Sequence, residues 1–118
     1  GSIGLTCWLE ESAFDLFTAL IGSGPAYIFY LIEALQEAAS GLNLDESTTK
    51  ELITEMIKGS STLANQSEDS PSLLREKVTS PGGVTEKALE VLNRKEVGRS
   101  IIEAILEATD KSKTLGGS

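Results

Sequence analysis

Histidine is absent from this 118-residue sequence, and cysteine occurs once, at Cys7. Without histidine the chain lacks the general base of Ser-His-Asp and Cys-His catalysis, and it lacks the side chain that most often binds zinc. A single cysteine excludes an intramolecular disulfide and a cysteine-based metal cluster, and it favours a cytoplasmic location. We therefore expect no metal site, and a small complete enzyme explains this sequence poorly.

Basic residues are also few, because ten Lys and Arg stand against 18 Asp and Glu, for a net charge of −8. They form no cluster, which argues against nucleic acid or an anionic membrane surface as a partner. No apolar run reaches the length of a membrane span, so we expect no membrane segment. The chain is 40% hydrophobic but only 5% aromatic, and its Leu, Ile and Ala favour one modest domain of packed helices.

Helical patterns separated by turns follow one another along the chain. We predict an all-α fold of about six helices, without a strand. The predicted helices cover Ala13–Ile21, Pro25–Ser40, Glu46–Asn65, Pro71–Val78, Val84–Leu92 and Glu96–Lys113. Their predicted end signals are Ser12 and Asp45 as N-caps, Ser70-Pro71 as a helix start, and Gly41 and Gly116-Gly117 as C-terminal glycines.

The second predicted helix is apolar on nearly every side over Ala26–Ile32. A helix of that kind is buried all round, and a small domain rarely has enough mass of its own to surround it. Two interpretations follow: a second subunit covers the helix, or the other five helices ring it. We favour the second subunit, which makes the chain an intertwined homodimer.

The stretch Thr79–Thr85 reads Thr-Ser-Pro-Gly-Gly-Val-Thr and lies between two amphipathic segments. Gly82 and Gly83 free the backbone to turn N–H groups inward, and a helical pattern begins directly afterwards. Unpaired amides and the helix dipole at such an N-terminus both favour a bound anion. A Ser-Pro turn followed by a glycine N-cap, without any ligand, is the alternative, and composition alone favours this simpler interpretation.

Two other motifs carry little chemistry. Gly22–Tyr27 begins like a dinucleotide fingerprint, but Tyr27 stands where the third glycine is needed and no strand precedes it. A tight turn between helices is the better interpretation. Ser47 and Lys50 have the spacing of a serine–lysine nucleophile without its companion motifs. The residues alone therefore name no reaction.

Several stretches together resemble the C-terminal domain of the pyrroline-5-carboxylate reductases, enzymes of the last step of proline synthesis. The matching stretches are Trp8–Glu11, Gly22–Tyr27, Ile32–Leu35, Leu74–Gly83, Ala88-Leu89 and Ser112-Lys113. They occur in the family's order and at its spacing, and they cover the chain from Leu5 to Leu115. The set is specific although each stretch alone is weak.

This resemblance implies one part of a two-part oxidoreductase. Residues 1–10 would lead in from a Rossmann-type domain that binds NADPH or NADH, and residues 11–118 would form a helical domain whose helices interleave with those of a second subunit. The intact enzyme would reduce 1-pyrroline-5-carboxylate to L-proline, and this piece alone would be inactive. The resemblance leaves open which cofactor is preferred and whether the homodimers assemble further.

The resemblance also implies roles for eight residues. Substrate-binding positions correspond to Ser80, Gly82, Gly83, Thr85 and Glu68, and a turn near the nicotinamide corresponds to Ser23, Gly24 and Pro25. The loop amides and Ser80 would receive the substrate carboxylate, while Thr85, the catalytic residue, would place its hydroxyl close to the pyrroline nitrogen. Ile21 and Val84 depart from the residues that many members carry, which leaves fine specificity open.

A non-enzymatic helical oligomerisation module is the alternative function. It explains the composition and the apolar second helix equally well. It does not require the stretch Ser80–Gly83 to bind an anion, so ligand binding at that stretch separates the two functions.

Overall fold

The computed structural model describes Glu10 and residues 13–116. Every regular element in that part of the chain is helical, which confirms the predicted all-α class. The α-helices are α1 (Phe14–Phe17), α2 (Gly24–Ala38), α3 (Glu46–Gln66), α4 (Pro71–Lys77), α5 (Val84–Arg94) and α6 (Val97–Leu115). The predicted N-cap Ser12, the segment 1–10 apart from Glu10, and Gly117 lie outside the described residues.

Two of the predicted helix starts are confirmed by side-chain caps. The Asp45 carboxylate accepts from the Thr48 N–H at 2.7 Å, and the Ser70 hydroxyl accepts from the Leu73 N–H at 3.2 Å. Two hydrogen bonds to the carboxylate hold the pKa of Asp45 below its usual value. The larger effect comes from the Thr48 N–H and the smaller from the Thr48 side chain. Because the pKa of Asp45 is lower in the folded than in the unfolded protein, the cap stabilises α3 fully at pH values above the unfolded-state pKa. This stabilisation is lost as the pH falls through the folded-state pKa.

The predicted first helix is not a single α-helix, because α1 continues into a π-helical turn over Thr18–Gly22. The Ser23 N–H donates to the Thr18 carbonyl at 2.9 Å. This five-residue bond leaves the Ala19 carbonyl without the Ser23 partner that an α-helix would give it. The Tyr27 hydroxyl donates to that carbonyl at 2.5 Å. An aromatic residue of α2 thus replaces the missing helical bond.

The predicted C-terminal glycine of the second helix is wrong. α2 ends at Ala38 and the chain continues as a 3₁₀ turn over Ala39–Leu42, which includes Gly41. The left-handed residue that ends this turn is Asn43, at φ 58° and ψ 33°. The 3₁₀ turn moves the end of the helical path downstream, and Asn tolerates the left-handed conformation better than other non-glycine residues.

The chain divides into two compact units. The first contains the described residues up to Tyr27 together with those from Glu96 onward. In it, the Ser112 hydroxyl donates to the Asp15 carboxylate at 2.7 Å and joins α6 to α1. Ala19 is 1% exposed, so the core of this unit lies where α1, the π-helical turn and α6 meet.

The second unit, Ile28–Lys95, contains most of α2 and all of α3, α4 and α5. Its buried residues are Thr49 and Ile53, both on α3. No residue of α2 is buried, and Phe29 and Tyr30 are 64% and 77% exposed. The interpretation of α2 as a central helix ringed by the other five is therefore wrong for the single chain.

One apolar stretch is longer than the sequence analysis expected. Phe14–Leu42 spans 29 residues and contains an 18-residue window with a mean hydropathy of 1.3, enough by length and composition to cross a bilayer. The expectation that no stretch reaches this length is corrected. The stretch contains the acidic residues Glu33 and Glu37 of α2. It is not one continuous α-helix, because the π-helical turn ends before Ser23 and α2 begins after it. A large exposed apolar surface of this kind also marks a protein–protein interface.

Candidate functional site

The connection between α4 and α5 contains a tight turn at the predicted anion-binding stretch, here called the α4–α5 loop (Thr79–Thr85). The Gly83 N–H donates to the Ser80 carbonyl at 2.9 Å, which closes a four-residue turn. Pro81 is its second residue, and Gly82, at φ +72°, is its third. Proline followed by a left-handed glycine defines a type II turn, so the backbone requires glycine at position 82.

Gly83 is favoured for a different reason. Its backbone, at φ −92° and ψ −175°, is extended and open to any residue. A Cβ at this position would lie 3.1 Å from the Ser80 carbonyl oxygen and 3.4 Å from the Ser80 Cβ. The turn folds Ser80 against position 83, which leaves little room for a side chain there.

Side chains fix both ends of the loop. At its start the Thr79 hydroxyl donates to the Arg75 carbonyl of α4 at 2.6 Å. At its end the Glu86 carboxylate accepts from the Gly82 N–H at 2.9 Å. Glu86 is the third residue of α5, the position from which a capping-box acid reaches back to the residues before a helix. The loop is therefore held from α4 and from α5.

The backbone donors at the start of α5 fall into two groups. The N–H groups of Gly82 and Gly83 donate within the chain, to Glu86 and Ser80. Those of Val84 and Thr85 have no hydrogen-bond partner among the described residues, as is usual in a first helical turn. An anion can therefore reach the N–H groups of Val84 and Thr85 directly, whereas at the two glycines it would displace an existing bond.

Two hydroxyls accompany these open donors. Ser80 is exposed and Thr85 half-buried. Within the part of the chain that the structure describes, neither side chain makes a hydrogen bond. Both hydroxyls remain available to a ligand at the loop, which is where the sequence predicted them to act.

Glu68 lies in the connection between α3 and α4 and is exposed. Its neighbour Asp69 accepts a hydrogen bond from the Lys77 ammonium at 2.5 Å, across the length of α4. Glu68 makes no hydrogen bond to the α4–α5 loop in the described structure. Its predicted role near the substrate stays a prediction.

The turn predicted to lie near the cofactor, Ser23-Gly24-Pro25, belongs to the first unit, at the start of α2. Ser23 borders an open recess of about 500 Å³. The recess is lined by Thr18, Ala19, Ser23, Ala108, Lys111, Ser112, Leu115 and Gly116. Its lining combines three hydroxyls with one ammonium, a surface suited to hydrogen-bonding groups rather than to several phosphates.

Metal-ligating side chains do not gather in the described part of the chain. No group of three Asp, Glu, Cys or His side chains there could hold an ion. The α4–α5 loop offers backbone amides and hydroxyls, with the carboxylate of Glu86 beside them.

The sequence profile of the family "Pyrroline-5-carboxylate reductase dimerisation" matches residues 11–115. The chain is a pyrroline-5-carboxylate reductase dimerisation domain. Among its relatives, pyrroline-5-carboxylate reductase 2 of Bacillus subtilis (strain 168) is 40% identical over 111 residues, which cover 94% of this chain and 40% of that protein. The Arabidopsis thaliana pyrroline-5-carboxylate reductase is 32% identical over 118 residues, covering 100% of this chain and 43% of that protein.

Solved structures agree with this assignment. The Plasmodium falciparum pyrroline carboxylate reductase crystallised with NADP bound has a TM-score of 0.87 at 32% identity, covering 92% of this chain and 41% of that one. The Coxiella burnetii enzyme has a TM-score of 0.85 at 41% identity, covering 91% and 40%. The chain thus spans about two fifths of the length of the proteins it matches.

Two features of this dimerisation domain were missed from the sequence. The bond from Gly82 to Glu86 could have been expected, because a Glu three residues after an N-cap is a recognised capping signal. The π-helical turn before Ser23 had no such local signal. It depends on the Tyr27 hydroxyl, which reaches back eight residues to the Ala19 carbonyl.

Proposed function

We propose that the whole protein to which this domain belongs is an NAD(P)H-dependent reductase that converts 1-pyrroline-5-carboxylate to L-proline. The match of residues 11–115 to the dimerisation family carries the proposal. The α4–α5 loop supports it, because its open amides and hydroxyls suit an anionic amino-acid substrate. The pieces this domain supplies are a dimer interface and a substrate carboxylate site.

The substrate carboxylate is proposed to bind at the N-terminus of α5. The N–H groups of Val84 and Thr85 are open donors there, and the positive end of the helix dipole favours a negative group. The Ser80 hydroxyl is proposed as a third donor. Charge-assisted hydrogen bonds of this type are stronger than neutral ones, so they fix the substrate's orientation.

Thr85 is proposed to act on the ring nitrogen of the substrate. A protonated imine accepts hydride better than a neutral one, and its N–H needs an acceptor. The Thr85 hydroxyl, half-buried and without a hydrogen-bond partner among the described residues, can accept that N–H. The residue that offers its amide to the carboxylate would then also orient the C=N bond.

NADPH or NADH, when bound, supplies the hydride. Within this chain the Ser23-Gly24-Pro25 turn is proposed to contact the nicotinamide end of the cofactor. The neighbouring recess supports this, because a lining with one cationic side chain, Lys111, and three hydroxyls suits the nicotinamide amide better than a pyrophosphate. The pyrophosphate is proposed to lie on another domain of the whole protein.

The domain is proposed to pair with a second copy of itself, with α2 in the interface, in a cytoplasmic enzyme. Exposed apolar side chains of α2 support this arrangement, since water-facing Phe29 and Tyr30 would be covered by a partner. The active site would then form between the cofactor domain of one subunit and the helical domain of the other.

The proposal is tested by assaying the complete reading frame. We expect the full-length protein to oxidise NADPH or NADH when 1-pyrroline-5-carboxylate is added, and to form proline in equal amount. The domain alone, residues 1–118, should show no turnover. A full-length protein that forms a stable dimer but does not reduce the imine would leave an oligomerisation module, and turnover by the domain alone would contradict the division of roles.

Gly83→Val in the full-length protein is expected to raise KM for the imine about tenfold, because overpacking typically costs ~1–3 kcal/mol. The new side chain would press on the Ser80 carbonyl, 3.1 Å from its Cβ. Steady-state kinetics at saturating cofactor measures the effect. Gly59→Ala is the control, since a Cβ at position 59 of α3 has no described neighbour within 4 Å. An unchanged KM in Gly83→Val would remove the loop from the carboxylate site.

A further inference from the structure

An acidic residue of α5 lies beside the loop that is proposed to bind the substrate carboxylate. The Glu86 carboxylate accepts the Gly82 N–H at 2.9 Å. The next residue, Lys87, pairs instead with Glu90, at 3.5 Å. Glu86 makes no ion pair with any described residue. A free negative charge beside a carboxylate site opposes substrate binding, so the position needs a physical explanation.

The explanation lies in which N–H group Glu86 engages. In a four-residue turn, the N–H of the third residue belongs to the central peptide, here the bond between Pro81 and Gly82. Types I and II of such turns differ by a flip of this peptide, which takes the third residue from φ near −90° to φ near +80°. Gly82 is at φ +72°. Glu86 therefore holds the N–H of the peptide whose orientation distinguishes the two turn types.

A flip would have a direct effect on the proposed carboxylate site. It would turn the Pro81 carbonyl oxygen toward the side where the Gly82 N–H now meets Glu86, which is the side of α5. A partial negative charge would then lie near the open N–H groups of Val84 and Thr85. Proline as second residue is compatible with both turn types, so the local sequence does not prevent the flip.

We propose that Glu86 is a positioning residue that holds the Pro81–Gly82 peptide in its type II orientation and so keeps the substrate carboxylate site open. This inference rests on the proposed function and adds a residue to it. Glu86 acts through the turn and not on the substrate. The acceptor oxygen is what matters, and the charge is not needed.

Two substitutions separate the oxygen from the charge. Glu86→Gln keeps an acceptor oxygen at the same place, and Glu86→Ala removes it. In the full-length enzyme we expect Glu86→Ala to raise KM for the imine about fivefold with kcat within twofold, and Glu86→Gln to stay within about twofold of wild type in both constants. Glu90→Ala is the matched control, an exposed acid one turn further along α5, and should leave KM unchanged.

A third substitution tests the flip itself. Gly82→Ala disfavours φ +72° and should shift the turn in the same direction as Glu86→Ala. If both act through one peptide, the double variant raises KM by clearly less than the product of the two single effects. Independent effects that multiply would overturn the proposal. So would a Glu86→Gln variant with KM raised as much as in Glu86→Ala, or lowered more than twofold.

Hydrogen exchange distinguishes failure of this inference from failure of the proposed function. In the intact protein, the peptide covering Thr79–Glu86 should exchange faster in Glu86→Ala than in wild type, Glu86→Gln or Glu90→Ala. This readout needs no substrate. A wild-type protein that does not reduce the imine would end the proposed function, while unchanged exchange in Glu86→Ala would end the role of Glu86 whatever the activity.

Discussion

Thr85→Ala is expected to lower kcat of the full-length reductase by about 30- to 150-fold, because one oriented hydrogen bond to a charged reacting group contributes ~2–3 kcal/mol. The hydroxyl is the proposed acceptor for the protonated ring nitrogen, a bond that matters as hydride reaches the adjacent carbon. The effect should fall mainly on kcat. The carboxylate keeps the Thr85 N–H, which alanine retains, so KM should change less.

The measurement is steady-state oxidation of NADPH or NADH with varied 1-pyrroline-5-carboxylate, together with the molecular mass in solution. Thr85→Ser is the matched control, since it keeps the hydroxyl and loses a methyl group. We expect it to retain most of the wild-type kcat. The dimer mass should be the same in all three proteins, because Thr85 lies at the loop and outside the proposed α2 interface.

Unchanged kinetics in Thr85→Ala would remove the residue from the site. A different pattern would reassign it: if Thr85→Ser and Thr85→Ala both raise KM and leave kcat alone, the side chain supports the loop and does not meet the reacting nitrogen. The two constants therefore decide between catalysis and positioning. Thermal unfolding of the variants checks that neither substitution acts through stability.

The elements that the sequence predicted correctly are those whose signals are local. Asp45 and Ser70 each cap a helix through an N–H three residues ahead, so a short window of residues contains the whole interaction. The turn at Ser80–Gly83 is similar, because Pro81 and two glycines predict it from four adjacent residues. The all-α fold class and most helix boundaries likewise follow from interactions between residues a few positions apart.

The elements that the sequence did not predict are the π-helical turn and the end of the second helix. The π-helical turn needs the Tyr27 hydroxyl to satisfy the Ala19 carbonyl eight residues earlier. Gly41 is a residue type that commonly ends a helix, yet it lies within a 3₁₀ turn that ends at the left-handed residue Asn43. The Tyr27 bond lies outside the short window from which helix ends are predicted, and at the end of the second helix both Gly41 and Asn43 are residue types that can terminate a helix.

The candidate site shows the same division. Residue types predicted a Gly-rich turn before a helix at the candidate anion-binding stretch, and the structure has that turn. They did not show which amides are open. Gly82 and Gly83 already donate to Glu86 and Ser80. The open donors at Val84 and Thr85 follow from the position of the helix start, which pattern reading fixes only to within a few residues.

The apolar surface of α2 leads to the second large effect. Phe29→Glu in the full-length protein is expected to convert the dimer into monomers at micromolar concentration. Burying a Phe side chain contributes ~1.5–3 kcal/mol, and an unpaired carboxylate in its place costs several more. A twofold interface contains the substitution twice, so the dissociation constant should rise by at least about 10⁴-fold.

Light scattering or sedimentation over a concentration series measures this, and Ala38→Glu is the matched control. It adds the same carboxylate to α2 at an exposed position nine residues further on, which lies on the opposite face of the helix. We expect Ala38→Glu to remain dimeric. A Phe29→Glu protein that stays dimeric at low micromolar concentration would exclude this face of α2 from the interface.

Activity gives the interface a second test, because a site shared between subunits is lost when they separate. Reductase activity of Phe29→Glu should recover at high protein concentration in parallel with the dimer, whereas Thr85→Ala should stay slow at every concentration. A Phe29→Glu monomer with full activity would mean that each subunit contains a complete site. In that case α2 would serve assembly alone, and the cofactor and helical domains of a single chain would have to meet around the α4–α5 loop.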